Sequence, residues 1–179
     1  MLTIIVPGGE LYDEETEEFL FTQPTVLELE HSLVSLSKWE FIHEKPFLSS
    51  DEKTTEEELS YVECMILNPN FPPEVISRLS EDNCNDIADY INKKATATWF
   101  PEDKRAPSRE IITSELVYHW IIALQIPLEV QYWHFNRLMT LIRVINAKNE
   151  KPKKMSRGEL ARRNRELNAQ RKARLNTTG

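Results

Sequence analysis

Apolar positions along this chain change period once, near Ser32, and the change divides it. Before it, apolar and polar residues tend to alternate. Leu2–Val6 is a short β-branched run closed by the turn signal Pro7-Gly8-Gly9. In Thr25–Glu30, Leu27 and Leu29 face one way while Val26 and Glu28 face the other. With Phe19-Leu20-Phe21 between them, residues 1–31 predict two to four short strands in a small antiparallel unit. Such a sheet is marginal alone and must pack on helices or on a partner.

After Ser32 the apolar residues recur every three to four positions. Leu33, Leu36, Trp39, Phe41 and Ile42 predict a helix to about Glu44, stopped by Pro46. Leu48–Lys53 reads as a loop. Thr54 and Glu57 then form a capping box, in which each side chain bonds the other's amide, and Leu59, Val62, Met65 and Ile66 face inward until Asn68-Pro69. Pro72-Pro73 opens a shorter helix through Leu79, and Ser80 opens another with Ile87, Tyr90 and Ile91 on its apolar side. Thr96–Phe100 predicts a short extended segment over the core, and Pro101–Ser108 a polar loop.

The strongest pattern is Arg109–Asn146, read as two helices meeting at Ile126-Pro127. Ile112, Leu116, Trp120 and Leu124 recur at every fourth position, with Val117, Ile121 and Ala123 widening the stripe. Ser108 suits the N-cap and Glu110 the positive helix end. Pro127 lacks an amide hydrogen, so it kinks the helix or starts a new one. Beyond it Phe135, Leu138, Met139, Ile142 and Ile145 make an apolar face opposite Glu129, Asn136, Thr140 and Arg143. A buried helical hairpin follows, with Trp120 and Phe135 as anchors. Neither run is apolar for the about 20 residues a bilayer span needs, so no membrane partner is expected. The fold class is α+β, mostly α: a small N-terminal antiparallel β unit (1–31), a helical bundle as body (32–149), and a basic C-terminal tail, helical or disordered (150–179).

Charge sharpens that last boundary. From Glu150 to Gly179 there are ten Lys/Arg and three Asp/Glu, a net +7; the whole chain is −7, so residues 1–149 carry −14. An acidic body with a basic appendage commonly marks an interaction segment. Two cysteines, Cys64 and Cys84, lack CxxC spacing and sit on apolar helix faces as small hydrophobes, which fits a reducing compartment. Without a basic n-region at the start, a cytoplasmic location is expected.

Candidate chemistry changes little. Glu115 and His119 stand at i,i+4, and His134 could approach them across the hairpin, but no HExxH or cysteine partner accompanies them. Histidines beside tryptophans in the core (His119-Trp120, Trp133-His134) are the preferred reading, because a metal site needs a full ligand set and its supporting shell. His31 and His43 stand alone. The acidic run Asp13–Glu18 lacks the spacing and glycine of an EF-hand loop and reads as a solvated turn. GxSxG, GxxxxGK[ST] and GxGxxG are absent from the sequence. No catalytic residue, cofactor or metal is expected, and the protein reads as a non-enzyme.

The functional signal is the tail. Lys151, Lys153, Lys154, Arg157, Arg162, Arg163, Arg165, Arg171, Lys172 and Arg174 are its candidate partner-binding residues. Ser156 and Glu159 form a second capping-box pattern, and only Leu160, Leu167 and Leu175, with alanines, offer apolar contact. An arginine-rich helix can fold into RNA. The tail nonetheless has no aromatic residue for base stacking, and the acidic body would repel a phosphate backbone. Docking on an acidic protein ranks first. RNA binding, and a solubilising disordered tail, rank together behind it.

Six blocks carry a resemblance: LELEHSLVSLSKWE (27–40), KTTEEELSYVECM (53–65), TATWF (96–100), REIITSELVYHWIIALQIP (109–127), WHFNRLMTLIRVINAKN (133–149) and KKMSRGELARRNRELNAQRK (153–172). Together they resemble the small tail assembly chaperones of tailed bacteriophages, of the siphophage type. The resemblance implies a non-enzymatic protein of the infected bacterial host's cytoplasm. It would bind phage tail proteins, the tape measure protein above all, and keep them soluble during tail assembly. Some such chaperones also have a longer, frameshifted form. A homo-oligomer is compatible with this reading, and a structural protein of the virion tail or head–tail connector is a further alternative.

Overall fold

A computed structural model describes residues 1–13, 18–100, 111–149 and 157–175. The chain divides into two compact units, Met1–Ile145 and Asn146–Gly179. The protein is α+β and mostly α, with a small antiparallel β unit at its start.

That unit holds four strands in two ladders. β1 (Leu2–Val6) pairs with β4 (Thr25–Leu29), and β2 (Glu10–Asp13) with β3 (Glu18–Phe21), both antiparallel. The register sets Leu2 opposite Leu29, Ile4 opposite Leu27 and Val6 opposite Thr25. Ile4, Val6, Leu27 and Leu29 therefore point into the core, and the alternation read in Thr25–Glu30 holds residue by residue. Gly8 is required by close approach: a Cβ there would lie 2.3 Å from the Thr22 carbonyl oxygen. Arg78 fastens this corner, its Nη1 donating to the Pro7 carbonyl at 3.2 Å and the Thr22 hydroxyl at 2.7 Å.

The outer edge of β4 is covered by the chain at 65–68. The Glu30 amide donates to the Met65 carbonyl and the Leu67 amide to the Glu28 carbonyl, while Asn68 Oδ1 accepts from the Glu28 amide at 2.7 Å. An edge strand that would otherwise offer unpaired backbone is thus satisfied internally.

Three helices begin with the same reciprocal cap: α1 (Leu33–His43) with Ser32/Ser35, α2 (Thr55–Met65) with Thr54/Glu57, and α3 (Glu81–Asn92) with Ser80/Asn83. Each box satisfies amides that the first helical turn leaves open. Pro73–Arg78 is a 3₁₀ segment rather than an α-helix. α1 is the hub, packing against α2, against α4 (Ser114–Ala123) and against a second 3₁₀ segment, Leu128–Tyr132; β1 packs on α3. Leu33, Leu36 and Trp39 of α1 are fully buried, whereas Phe41 and Ile42, expected inside, face out. The inward arc of α1 continues instead through Ser35 and Glu40.

The hairpin expectation needs two corrections. Its first stripe is mis-phased: Ser114, Val117 and Ile121 are the buried positions of α4, while Leu116, Trp120 and Leu124 lie at the margin and Ile112 at the entry to the helix. Trp120 is packed against the core without being enclosed, whereas Phe135 is buried as expected. Second, the break is not a proline kink. α4 ends in a Schellman turn, with Ile126 N–H to the Ile121 carbonyl at 2.9 Å and Gln125 N–H to the Ile122 carbonyl at 3.1 Å, and Gln125 takes a left-handed φ of 54°. α5 (Phe135–Asn149) starts eight residues after Pro127 and buries Phe135, Leu138 and Ile142. Ser108, Arg109, Glu110 and the expected loop 101–108 lie outside the described residues.

Thr96–Phe100 is irregular rather than extended, and its Trp99 is 75% exposed. Phe100 sits beneath the Arg143 guanidinium at 4.4 Å, a cation–π contact. Among the described residues no helix is long and apolar enough to cross a membrane.

Candidate interaction surface

α6 (Arg157–Leu175) is a 19-residue helix with no buried residue. Its sequence explains both facts. Arginine, lysine, glutamate, alanine, leucine and glutamine are strong helix formers, so the backbone preference is met at every position but Gly158, Asn164 and Asn168. Glu159 lies in the first turn and Lys172 and Arg174 in the last, each at the helix end whose dipole favours it. Apolar side chains are too few to make a face: at 100° per residue Leu160 and Leu167 overlap, but Leu175 lies about 60–80° away. All three are exposed.

Arg157, Arg162, Arg163, Arg165, Arg171, Lys172 and Arg174 stand on this helix with their side chains in solvent. They are spread around its circumference rather than gathered on one side. Arg162 and Glu166 form an exposed i,i+4 pair at 3.8 Å, worth about 0.3–0.5 kcal/mol in general. Lys151, Lys153, Lys154 and the capping residue Ser156 lie outside the described residues. Such a helix attracts anionic partners from every side and fixes no single orientation for them. It suits salt-sensitive docking.

The histidine readings are corrected in an instructive way. His119 is exposed, not a core histidine, and Glu115 beside it is exposed too. Among the described residues no group of three His, Cys, Asp or Glu could hold a metal ion. His31, expected to stand alone, is instead buried against His134, with ring centroids 5.1 Å apart and edge to face. Phe135 N–H donates to the His31 carbonyl at 2.7 Å, which brings the starts of α1 and α5 together.

The tautomers in this cluster follow from the partners. His134 Nε2 lies 2.9 Å from the Tyr90 carbonyl, so it must carry the proton, and Nδ1 then accepts from the Asn136 amide at 3.3 Å. His31 Nδ1 bonds the Tyr61 hydroxyl. Tyr90 donates its hydroxyl proton to Glu30 at 2.6 Å. Burial, with His134 adding to it, pushes the His31 pKa down to about 4. Burial raises both tyrosines well above their usual range, and Glu30 raises Tyr90 further. His31, Tyr61 and Tyr90 are therefore uncharged around physiological pH, and the cluster joins α1, α2, α3 and α5 by complementary hydrogen bonds.

Glu40 is a second buried polar group that periodicity overlooked. Its two carboxylate oxygens accept from the Phe47 amide at 2.8 Å and the Ser114 amide at 2.7 Å. Ser114 begins α4, so the carboxylate also meets the positive end of that helix. The available signal was a charged residue at i+4 from Leu36 and i+7 from Leu33, inside an apolar stripe. Cys64 is buried and its thiol pKa is raised by burial, while Cys84 is exposed, against the expectation that both thiols lie inside.

Comparison with protein-family models, with curated proteins and with solved structures finds no match.

Proposed function

We propose that this protein is a tail assembly chaperone of a tailed bacteriophage. In this reading it works in the host bacterial cytoplasm, without catalysis, and binds the tape measure protein or another tail component. Its salt-sensitive contact is α6 together with Lys151, Lys153 and Lys154. Support comes from the resemblance of the six sequence blocks to that family. The observation that carries the reading is α6 itself: nineteen helical residues, seven of them basic, none buried, on a chain whose first 149 residues carry −14. Attraction between exposed charges fades beyond about 8 Å at physiological salt, so partner binding through α6 falls steeply as salt rises.

The test is affinity capture from infected cells at low and high salt, with and without nuclease, comparing the full chain with one ending at Asn149. Capture of tail proteins at low salt, resistant to nuclease and lost on truncation, is the expected outcome. Nuclease-sensitive capture replaces this reading with RNA binding through the same arginines. Stoichiometric presence of the chain in purified virions replaces it with a structural role in the tail or connector.

A further inference from the structure

α2 and α3 turn apolar faces toward one another without filling the space between them. α2 packs on α1 and on the Pro73–Arg78 segment, α3 packs on β1, and a cleft of about 370 Å³ is left between the two helices. Its α2 wall is Thr55, Glu58, Leu59 and Val62, with Tyr61 beneath them; its α3 wall is Cys84, Ile87, Ala88 and Ile91. Thr55, Glu58, Leu59 and Val62 on α2, and the four residues of α3, each follow the i, i+3, i+4, i+7 spacing of one helical face. Leu59 and Ile91 are only half-buried and Ala88 is exposed, so these stripes are unfinished in the folded chain. The volume falls within the range of about 300–1,000 Å³ typical of ligand sites.

The charge around this cleft selects its occupant. Glu58, at an exposed position on α2, is the carboxylate of its lining, whereas Glu56 and Glu63 line a separate groove toward Pro73 and Ser77. The lining includes one cation, Lys53, but its ammonium is turned onto the Phe47 ring at 4.7 Å and the Trp39 ring at 5.8 Å. An apolar floor edged by the Glu58 carboxylate is complementary to an amphipathic helix that carries lysine or arginine beside its apolar stripe. The α2 wall spans Thr55 to Val62, seven residues or about 10 Å, which is the reach of apolar side chains at i, i+4 and i+7 on a docked helix.

We propose that the α2–α3 cleft binds a basic amphipathic helix of a partner protein, its aliphatic side chains entering between Leu59 and Ile91 and a cation beside them meeting Glu58. The inference rests on the reading of the protein as one that holds a client, and names the kind of client segment that the body takes. α6 and the cleft then grip a client by opposite chemistries: α6 attracts acidic stretches, and the cleft takes apolar stripes flanked by positive charge.

Cys84 makes the cleft directly readable, since it is exposed within the lining while Cys64 is buried. The experiment follows alkylation of Cys84 in the full chain during titration with a capped helical peptide of alanine, lysine and leucine, its leucines at i, i+4 and i+7. Protection should saturate, slowing alkylation about tenfold at a peptide concentration about ten times Kd. Glu58→Lys should raise the concentration needed by about fivefold. Ala88→Phe, which fills the cleft, should abolish protection; Glu58→Lys, at an exposed position, keeps the test valid where Ala88→Phe fails to fold.

The proposal is overturned by an absence of protection, or by equal protection from a leucine-free lysine peptide or from a peptide with glutamate in place of lysine. It is also overturned if Cys84 is protected in the chain alone and becomes reactive on dilution, because the occupant is then a second copy. Replacing Arg171, Lys172 and Arg174 by Gln in the full chain separates the two readings. That variant should lose tail-protein capture and keep peptide protection of Cys84. Loss of protection in that variant sinks the cleft alone, and capture that survives in it sinks the role of α6 alone.

Discussion

α1 and α6 are both regular helices, and they are stabilised in opposite ways. α1 has 11 residues and buries Leu33, Leu36 and Trp39 completely; α6 has 19 and buries none. α6 has the better intrinsic propensity, since α1 includes two serines, a valine, an isoleucine and aromatics that favour the helix less. Length and propensity hold α6 as a helix, whereas α1 is held by what surrounds it. Helices in folded proteins draw most of their stability from packing of an apolar face. On the proposed reading, salt-sensitive binding belongs to α6 and stability to the packed body, and mutations should sort accordingly.

The largest effect is expected at the hub. Trp39 is 1% exposed and its indole N–H donates to the Glu57 carbonyl at 2.8 Å. Trp39→Ala should cost about 3–5 kcal/mol in denaturant unfolding, a large share of a domain's about 5–15 kcal/mol. Trp120→Ala, at the core margin, should cost clearly less. An equal loss at the two sites would restore the central hairpin as the organising element.

Acid should act on the body next. His31 is held at a pKa of about 4 against an ordinary 6.5, so between those values the unfolded chain binds a proton that the folded one refuses. Stability is then full above about pH 6.5 and falls as pH drops toward 4, by on the order of 3 kcal/mol for this group. Tyr61, His134 and Phe135 face the ring, and none supplies a negative charge that would favour its protonation. A thermal-melt series from pH 7 to 4 checks the slope, which should shrink in His31→Gln. A melting temperature flat across that range would mean that the ring is solvated.

Glu40→Ala removes a carboxylate shared by two amides, one of them at the start of α4. Hydrogen bonds to charged groups contribute about 1.5–3 kcal/mol, and a loss of that size in chemical unfolding is expected. Glu40→Gln should recover part of it, since one amide oxygen can still accept. A smaller, opposite effect is expected at Gln125, whose φ of 54° is a conformation that side chains disfavour. Gln125→Gly should raise stability by about 0.5–1 kcal/mol. Smallest of all is truncation after Asn149, which should leave the melting temperature of the body nearly unchanged while abolishing salt-sensitive binding. If truncation instead unfolds the body, Leu160, Leu167 and Leu175 are structural and the contrast with α1 collapses.

Much of the architecture was legible because it depends on short-range rules. The β-branched run Leu2–Val6, the alternation in Thr25–Glu30, the capping box at Thr54, the helix start at Ser80 and the charge break near residue 150 each involve residues within a few positions of one another. Backbone geometry and local hydrogen bonding alone decide such features. The basic helix was readable for the same reason, since every determinant of α6 lies within it.

What only the tertiary structure decided involves partners far apart in the chain. Whether Leu116 or Val117 faces inward depends on where α1 lies, because a broad apolar stripe fits several rotations of a helix about its axis. His31 meets His134 across 103 positions, and Glu40 caps a helix that begins 74 residues later. Nothing near either residue announces its partner. The α2–α3 cleft is the clearest instance. Each helix alone reads as carrying a core-facing stripe, and only the placement of α2 on α1 and of α3 on β1 sets the two walls around a space that the described residues leave open.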